Sequence, residues 1–167
     1  MAAPPEPRSW SIVPSSYEAP LSSLIQEYVE RSTPKAYARF LDLFCCSRLG
    51  VIAVGIPEGT KRGDDIKSTA DHPIGLGTTQ HAGGREMVLA FADPAVFEKR
   101  FGQRFNAAID GEELLESALA NPNCHGILIN SATAEVSAVI RRDVIEQLLS
   151  GRRTTNQKSA RAWWKFW

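Results

Sequence analysis

Five side chains of this sequence have the chemistry of metal ligands. Asp71, His72 and His81 supply a carboxylate and two imidazoles, while Cys124 and His125 add a thiol and a third imidazole. Zinc is commonly bound by these groups. Their spacing matches no paired zinc-ligand motif, and nothing in the sequence brings the first three residues to the last two. We therefore interpret them as surface-loop residues and expect neither a metal site nor a cofactor.

Other residues of catalytic type also lack the arrangement that catalysis requires. Ser131 follows an apolar run but lacks the Gly-x-Ser-x-Gly pattern of a nucleophile elbow. The glycines near residues 75–84 lack the spacing of a phosphate-binding loop and are not followed by Lys-Ser or Lys-Thr. Glu112, Glu113 and Glu116 form an acidic cluster that the start of a helix already explains. The sequence therefore predicts a protein without enzymatic activity.

The cysteines and the lengths of the apolar runs indicate the cellular compartment in which we expect the protein. Cys45, Cys46 and Cys124 are odd in number, and the adjacent pair lies in an apolar helical pattern, so we expect reduced thiols that act as small packing residues. Residues 1–16 lack the apolar core of a secretory signal. No run approaches the roughly 18 apolar residues of a membrane span. These features predict a soluble cytoplasmic protein and argue against a membrane partner.

The charge is balanced overall but unevenly distributed. The chain has 19 basic and 19 acidic residues, and five of the basic residues but none of the acidic ones lie in residues 152–167. An acidic body with a basic tail offers no extended positive surface for phosphates. We therefore expect no nucleic-acid partner.

Apolar periodicity predicts alternating helices and strands. Thr33 and Pro34 have the residue types of a helix start, and Asp93 and Pro94 start a later helix. Asp110 and Glu113 have the spacing of a capping box. The predicted helices cover about 21–30, 34–47, 94–101, 111–119 and 143–150, and the strands cover 51–56, 87–91, 126–130 and 136–140.

Three further boundaries follow from turn and loop residues. Asp143 is expected to cap the last helix and Gly151 to end it. Residues 131–135 are predicted to form a short polar turn between the last two strands. Residues 57–84 are rich in Gly, Asp, Lys, Thr and Pro, with only Ile66, Ile74 and Leu76 suited to burial, so we predict a long mobile segment that is either a functional loop or an inserted hairpin.

The order of these elements resembles a known family. Residues 88–93, the helix start at 110–115, the strand at 126–130 and the closing helix at 143–149 are similar to the N-terminal domain of the SseB (enhanced serine sensitivity) family. The chain departs from the family pattern at two turns, with Ala92-Asp93 in place of Thr-Ser and Ser131 in place of a proline. The resemblance implies a single α+β domain with a mixed sheet of about four to five strands packed with helices. The biochemical role of the family is unsettled.

The predicted organisation is a flexible segment at 1–20, the domain at 21–151 and a basic aromatic tail at 152–167. The tail holds Trp163, Trp164, Phe166 and Trp167 together with Arg161 and Lys165, and we predict that these residues bind a partner. Aromatic groups gain little from a solvated chain end, so they are expected to bind a protein partner or a second copy, to pack on their own domain, or to rest at a membrane surface.

Two functions follow as hypotheses. The first is a non-catalytic protein-interaction or regulatory module. The alternative is a small-molecule sensor or minor enzyme linked to amino-acid (serine) metabolism, with its ligand under the loop at 57–84.

Overall fold

The computed structural model describes residues 19–130, 137–153 and 163–166. Within these ranges there are five α-helices: α1 (Pro20–Arg31), α2 (Pro34–Cys46), α3 (Pro94–Phe101), α4 (Gly111–Ala120) and α5 (Arg142–Arg153). The strands are β1 (Arg48–Val51), β2 (Ala53–Val54), β3 (Asp65–Lys67), β4 (Gly75–Leu76), β5 (Thr78–His81), β6 (Arg85–Phe91), β7 (Ala107–Asp110), β8 (Gly126–Ile129), β9 (Ala138–Arg141) and β10 (Trp163–Phe166). A short 3₁₀ helix, Ala82–Gly84, joins β5 to β6.

The main sheet is mixed and contains eight of these strands. Its order is β3-β10-β7-β1-β6-β8-β9, and β5 pairs with the first half of β6. The neighbours β6 and β8 are parallel, whereas β1 runs antiparallel to both β6 and β7. A separate ladder joins β2 to β4. The predicted α+β class is therefore confirmed, with a larger sheet than the predicted four to five strands.

The two faces of the sheet bury different side chains, because successive residues of a strand point to opposite faces. From β6, Val88 and Ala90 join a large core cluster that also contains residues of α1, α2, α4 and α5. Phe91 belongs to a second cluster with Phe97 of α3 and Phe105. The sheet thus has four helices over one face and an aromatic group beside α3 on the other.

The helices begin close to the residues that the sequence predicts, but not every predicted capping hydrogen bond forms. Thr33 Oγ1 accepts a hydrogen bond from Ala36 N at 3.2 Å, which confirms the predicted cap of α2. The capping box at Asp110 was wrong: Asp110 is the N-cap residue of α4, but its side chain makes no capping hydrogen bond. Its carboxylate lies 3.8 Å from the guanidinium Nε of Arg48, so an ion pair draws it away from the first turn.

The last helix also differs from its prediction. It begins at Arg142, and the carboxylate of Asp143 binds the guanidinium of Arg141 at 2.6 and 3.0 Å. It continues through Gly151 to Arg153, because Arg152 forms an ion pair with Glu112 of α4 and extends the packing of the helix end. A glycine inside a helix costs only about 0.5–1 kcal/mol relative to alanine, which such a contact offsets.

Residues 57–84 are not a continuous loop. They contain β3, β4 and β5, and Ile66 of β3 is buried. At Gly77 the chain passes so close to the residue between β1 and β2 that an added Cβ would lie 2.7 Å from Cβ of Ile52. These strands are short and polar, and they form because neighbouring strands supply their hydrogen bonds, which periodicity within the segment cannot reveal.

One further prediction was wrong in part, and others concern residues outside the described ranges. Cys45 and Cys124 are buried free thiols, but Cys46 is exposed, so the prediction that both adjacent thiols pack in the core was wrong for Cys46. The predicted turn at 131–135 and nearly all of the segment at 1–20 lie outside the described residues. None of the helices described here combines the length and the apolar character needed to cross a membrane.

Candidate functional site

A pocket of about 120 Å³ lies where the parallel strands β6 and β8 end. Because the two strands run in the same direction, their carboxyl ends open at one edge of the sheet, where α/β proteins commonly bind ligands. The polar and apolar residues that line it come from both strand ends, α1 and α3: Ala19, Ser22, Gln26, Ala92, Asp93, Val96, Phe97, Arg100, Phe101 and Asn130.

Both strand ends have an unusual backbone at this pocket. Asp93 has φ of 49° and Asn130 has φ of 56°, in the left-handed region. Only one other non-glycine residue in the described chain, Ser32, has a positive φ. Asp and Asn tolerate this region better than most residues, yet it remains less favourable than the helical or extended regions. The two turns direct polar side chains into one pocket.

Asn130 is the most buried polar residue of the pocket, with 3% of its surface exposed. Its Oδ1 accepts a hydrogen bond from Ala92 N at 2.8 Å and so links the two strand ends. The other amide atom, Nδ2, has no hydrogen-bond partner among the described residues, and it is not one of the fully buried unpaired atoms. Asn130 lines the pocket, so a molecule with an acceptor can pair with this donor.

Asp93 joins the pocket to α1. Its Oδ2 accepts from Ser22 N at 2.8 Å and its Oδ1 from Leu21 N at 3.3 Å. The carboxylate thus caps α1, although Asp93 is adjacent in sequence to α3. This carboxylate lies at the positive end of the α1 dipole. The backbone carbonyl of Asp93 meanwhile accepts the first hydrogen bonds of α3, from Val96 N and Phe97 N.

The outer part of the pocket is formed by long side chains. The Arg100 guanidinium carbon lies 5.0 Å from the ring centroid of Phe101, and both residues line the pocket. Gln26 Nε2 donates a hydrogen bond to Glu30 Oε1 at 2.8 Å. The side-chain oxygen of Gln26 is the acceptor that this residue brings to the pocket. The pocket therefore combines an amide donor, a guanidinium and an apolar wall.

The described residues also line other concave surfaces. One, of about 400 Å³, is lined by Cys45, Cys46 and the carboxylates of Asp110, Glu112, Glu113 and Glu116. Burial raises the pKa of the Cys45 thiol to about 11, so Cys45 is a poor nucleophile at neutral pH. The other, of about 320 Å³, is an apolar groove between α2 and α5; its residues are Pro34, Tyr37, Ala38, Leu41, Val144, Gln147 and Leu148.

Tyr37 forms part of the floor of this groove. Its hydroxyl donates to Val139 O at 3.4 Å, and burial raises its pKa to about 12. The phenol therefore stays protonated under ordinary conditions and holds the first turns of α2 against β9.

The residues first considered as metal ligands do not converge. The Cys124 thiol donates to Gly126 O at 3.1 Å inside the core, whereas His72 and His81 are exposed on other segments. No group of three or more His, Cys, Asp or Glu residues in the described part of the chain is placed to hold a metal ion.

The predicted partner-binding tail is seen in part. Trp163, Trp164, Lys165 and Phe166 form β10, whose backbone pairs with β3 on one side and β7 on the other. Arg161 and Trp167 lie outside the described residues. The backbone arrangement corresponds to the alternative in which the tail packs on its own domain, and partner binding by these residues stays a prediction.

The pocket was missed because Asp93 and Asn130 were interpreted as turn residues. A usable signal exists, because each is a polar residue that tolerates a positive φ and lies within two residues of the end of a strand. The missing information was that β6 and β8 are adjacent and parallel.

Comparison with known protein families matches residues 21–147 to the SseB protein N-terminal domain. The match covers most of the chain, and it spans all five helices from α1 to the first turns of α5. The chain belongs to this family, as the sequence resemblance predicted. No curated protein and no solved structure gives a significant match.

Proposed function

We propose that this domain is a non-catalytic regulatory module that binds a small polar molecule in the pocket at the ends of β6 and β8. The observation that carries the proposal is Asn130, which lines the pocket, is 3% exposed and has no hydrogen bond from Nδ2 to a described residue. A ligand acceptor beside Nδ2 would pair a donor that none of the described residues pairs.

The backbone around the pocket supports a binding role. Positive φ at Asp93 and Asn130 makes each strand end less favourable, and such conformations cluster at binding and catalytic sites. The hydrogen bonds that Ala92 N donates to Asn130 Oδ1 and that α1 donates to Asp93 hold both turns in place. The walls are thus preorganised, which lowers the entropy lost on binding.

The lining favours binding over catalysis. It contains neither histidine nor cysteine, and both oxygens of its one carboxylate, Asp93, accept backbone hydrogen bonds. These bonds give Asp93 a structural role as the cap of α1. The pocket is also smaller than the roughly 300–1,000 Å³ of clefts that hold drug-sized ligands, so its occupant is a small molecule.

This site differs from the ligand position considered in the sequence hypothesis. No residue of 57–84 lines the pocket. We also propose a bacterial cytoplasmic setting, which the three free thiols support.

A fragment screen tests the proposal. Polar fragments of about four to eight non-hydrogen atoms, added to ¹⁵N-labelled full-length protein, are expected to shift the amide signals of Ala92, Asp93 and Asn130 saturably. Val96→Trp fills the pocket and should abolish these shifts. Ala95→Trp, one position earlier in α3 and outside the lining, is the matched control and should keep them. If no fragment affects these residues, or if Val96→Trp binds like the wild type, the proposal fails.

A second candidate function is self-association or binding of a protein partner, which the apolar groove between α2 and α5 favours. Two copies meeting at this groove would cover Val144 and Leu148, which are half-buried in one copy. Sedimentation velocity of the full chain should then detect a dimer that Leu148→Glu disrupts. Ser150→Glu, on the exposed side of α5, should leave it intact. A monomer at all accessible concentrations would exclude this dimer.

A further inference from the structure

We propose that the pocket at the ends of β6 and β8 selects an uncharged primary carboxamide, an inference that rests on the proposed function and names its ligand class. Two polar side chains of the lining set this preference. Asn130 presents a hydrogen-bond donor, and Asp93 presents an acceptor. A primary carboxamide complements both, because its carbonyl oxygen accepts and its NH₂ group donates.

Asn130 presents its donor in a fixed position. Its backbone N–H donates to Ala90 O at 2.9 Å, and its Oδ1 accepts from Ala92 N at 2.8 Å. Both bonds tie the residue to β6, and the second turns Oδ1 toward the protein. Nδ2 is therefore the group that this side chain brings to the pocket, and only a ligand with an acceptor can pair with it.

Asp93 presents its acceptor beside this donor. It directly follows Ala92, the residue whose N–H binds Asn130 Oδ1. A carboxylate has about four lone-pair sites. Leu21 N and Ser22 N use one site on each oxygen, at 3.3 and 2.8 Å. Asp93 is half-buried and lines the pocket, so the remaining sites can accept a hydrogen bond from a ligand N–H.

Charged ligands complement only one of the two groups. A carboxylate can accept from Asn130 Nδ2, but it has no N–H for Asp93, and the two negative charges repel each other. An amidinium ion can donate to Asp93, but it has no acceptor for Asn130. Arg100 also lines the pocket, but it interacts within the protein, so no ligand contact is assigned to it.

The apolar part of the lining sets the size of the ligand. Val96, Phe97 and Phe101 form an apolar wall, and the volume of about 120 Å³ suits a carboxamide with a short alkyl chain. Propionamide, with five non-hydrogen atoms, is therefore the probe of choice. Three analogues keep its shape and change only its polar groups. 2-Butanone keeps the acceptor without the donor, propionate replaces the donor with a negative charge, and propionamidinium replaces the acceptor with a second donor and a positive charge.

The test is an NMR titration of the ¹⁵N-labelled full-length protein with these four probes, at neutral pH and constant ionic strength. We expect propionamide to shift the amide signals of Ala92, Asp93 and Asn130 with an affinity at least about threefold higher than that of each analogue, because each analogue loses one hydrogen bond.

A matched pair of variants tests the contact with Asp93. Asp93→Asn removes the negative charge and adds an N–H donor, so it should remove the advantage of propionamide over propionate. Asp110→Asn, the same change at the start of α4 and outside the lining, should leave the ranking of the four probes as it is in the wild type.

The wild-type ranking decides the inference without any variant. Tightest binding of propionamide supports it, and equal or tighter binding of any analogue overturns the carboxamide assignment while the binding function stands. An unchanged ranking in folded Asp93→Asn also overturns the assignment, because its donor contact is then absent. If none of the four probes shifts these signals but other fragments do, the ligand class is wrong. Failure of every fragment class rejects the proposed function itself.

Discussion

At the scale of single residues, Asp93 connects three parts of the molecule. Its backbone ends β6 and begins α3, and its carboxylate caps α1. Leu21, whose N–H it accepts, is fully buried in the main core, so the cap also fixes how α1 enters that core. Asp110 has a similar position at the start of α4 but makes no capping bond. The two aspartates therefore form a natural comparison.

We predict that Asp93→Ala lowers the free energy of unfolding by about 1–2 kcal/mol, through the lost cap and the positive φ that alanine tolerates poorly. Asp110→Ala, the control, should cost less than about 0.5 kcal/mol, because it removes only a surface ion pair. Urea denaturation of the two variants and the wild type provides the measurement. Equal losses would contradict the assignment of the cap to Asp93.

The three cysteines differ in reactivity for reasons of burial and pKa. Cys46 is exposed, whereas Cys45 and Cys124 are buried and the pKa of Cys45 is raised to about 11 by burial. Thiol reagents attack the thiolate, so both access and pKa protect Cys45.

We predict that Ellman's reagent at pH 8 modifies one thiol rapidly in the native protein and the other two only as the protein unfolds. Cys46→Ser should remove the rapid phase, and Cys124→Ser should leave it. Rapid modification of two or more thiols in the native state would show that the burial of Cys45 or Cys124 is wrong.

At the scale of elements, close backbone approaches set the packing of helices. A Cβ added at Gly111 would lie well inside contact distance of the Phe44 carbonyl oxygen, because the first turn of α4 packs directly on the end of α2. At Gly151, inside α5, an added Cβ meets no atom within 4 Å. One glycine is required by packing, and the other is not.

We predict opposite effects for the same substitution at these two sites. Gly111→Ala should destabilise the protein by about 1–3 kcal/mol, since the helices must separate. Gly151→Ala should stabilise it by about 0.5–1 kcal/mol, through the better helix propensity of alanine and the loss of freedom in the unfolded chain. Thermal and urea unfolding measure both. A neutral Gly111→Ala would mean that α4 does not contact α2 this closely.

At the scale of the whole molecule, β10 brings together segments that are far apart in sequence. It lies between β3, from the 57–84 region, and β7, which belongs to the centre of the sheet. In the described chain β3 pairs with β10, and it is attached to the sheet through that strand. We therefore expect the C-terminal residues to hold β3 in the sheet.

We predict that deletion of residues 154–167 leaves the domain folded but exposes β3 to trypsin at Lys67. The truncated chain keeps every described member of the main core cluster, since these residues lie between Leu21 and Leu149. In the full chain, cleavage after Lys67 should be slower than after Lys61, which lies in a turn before β3. Mass spectrometry of timed digests measures both rates. If Lys67 is cut equally fast in both proteins, then β10 does not hold β3.

The sequence by itself determined the helices, the strands β6 and β8, and the family. Apolar periodicity located α1, α2 and α3, and continuous apolar runs located β6 and β8, because these elements bury their own side chains in the core. The Thr33 cap also followed from sequence, since a hydroxyl three residues from its donor needs no distant partner.

Only the tertiary structure decided the remaining strands and the pocket. β3, β5 and β10 are short segments whose hydrogen bonds come from strands distant in sequence, so no local pattern marks them. Asp93 and Asn130 are 37 residues apart, and they converge because β6 and β8 are parallel neighbours. The carboxylate of Asp93 likewise reaches α1 instead of α3, a choice set by the position of a helix more than 70 residues earlier. Long-range pairing and helix placement depend on the packing of the whole chain, and side-chain type and local spacing do not contain that information.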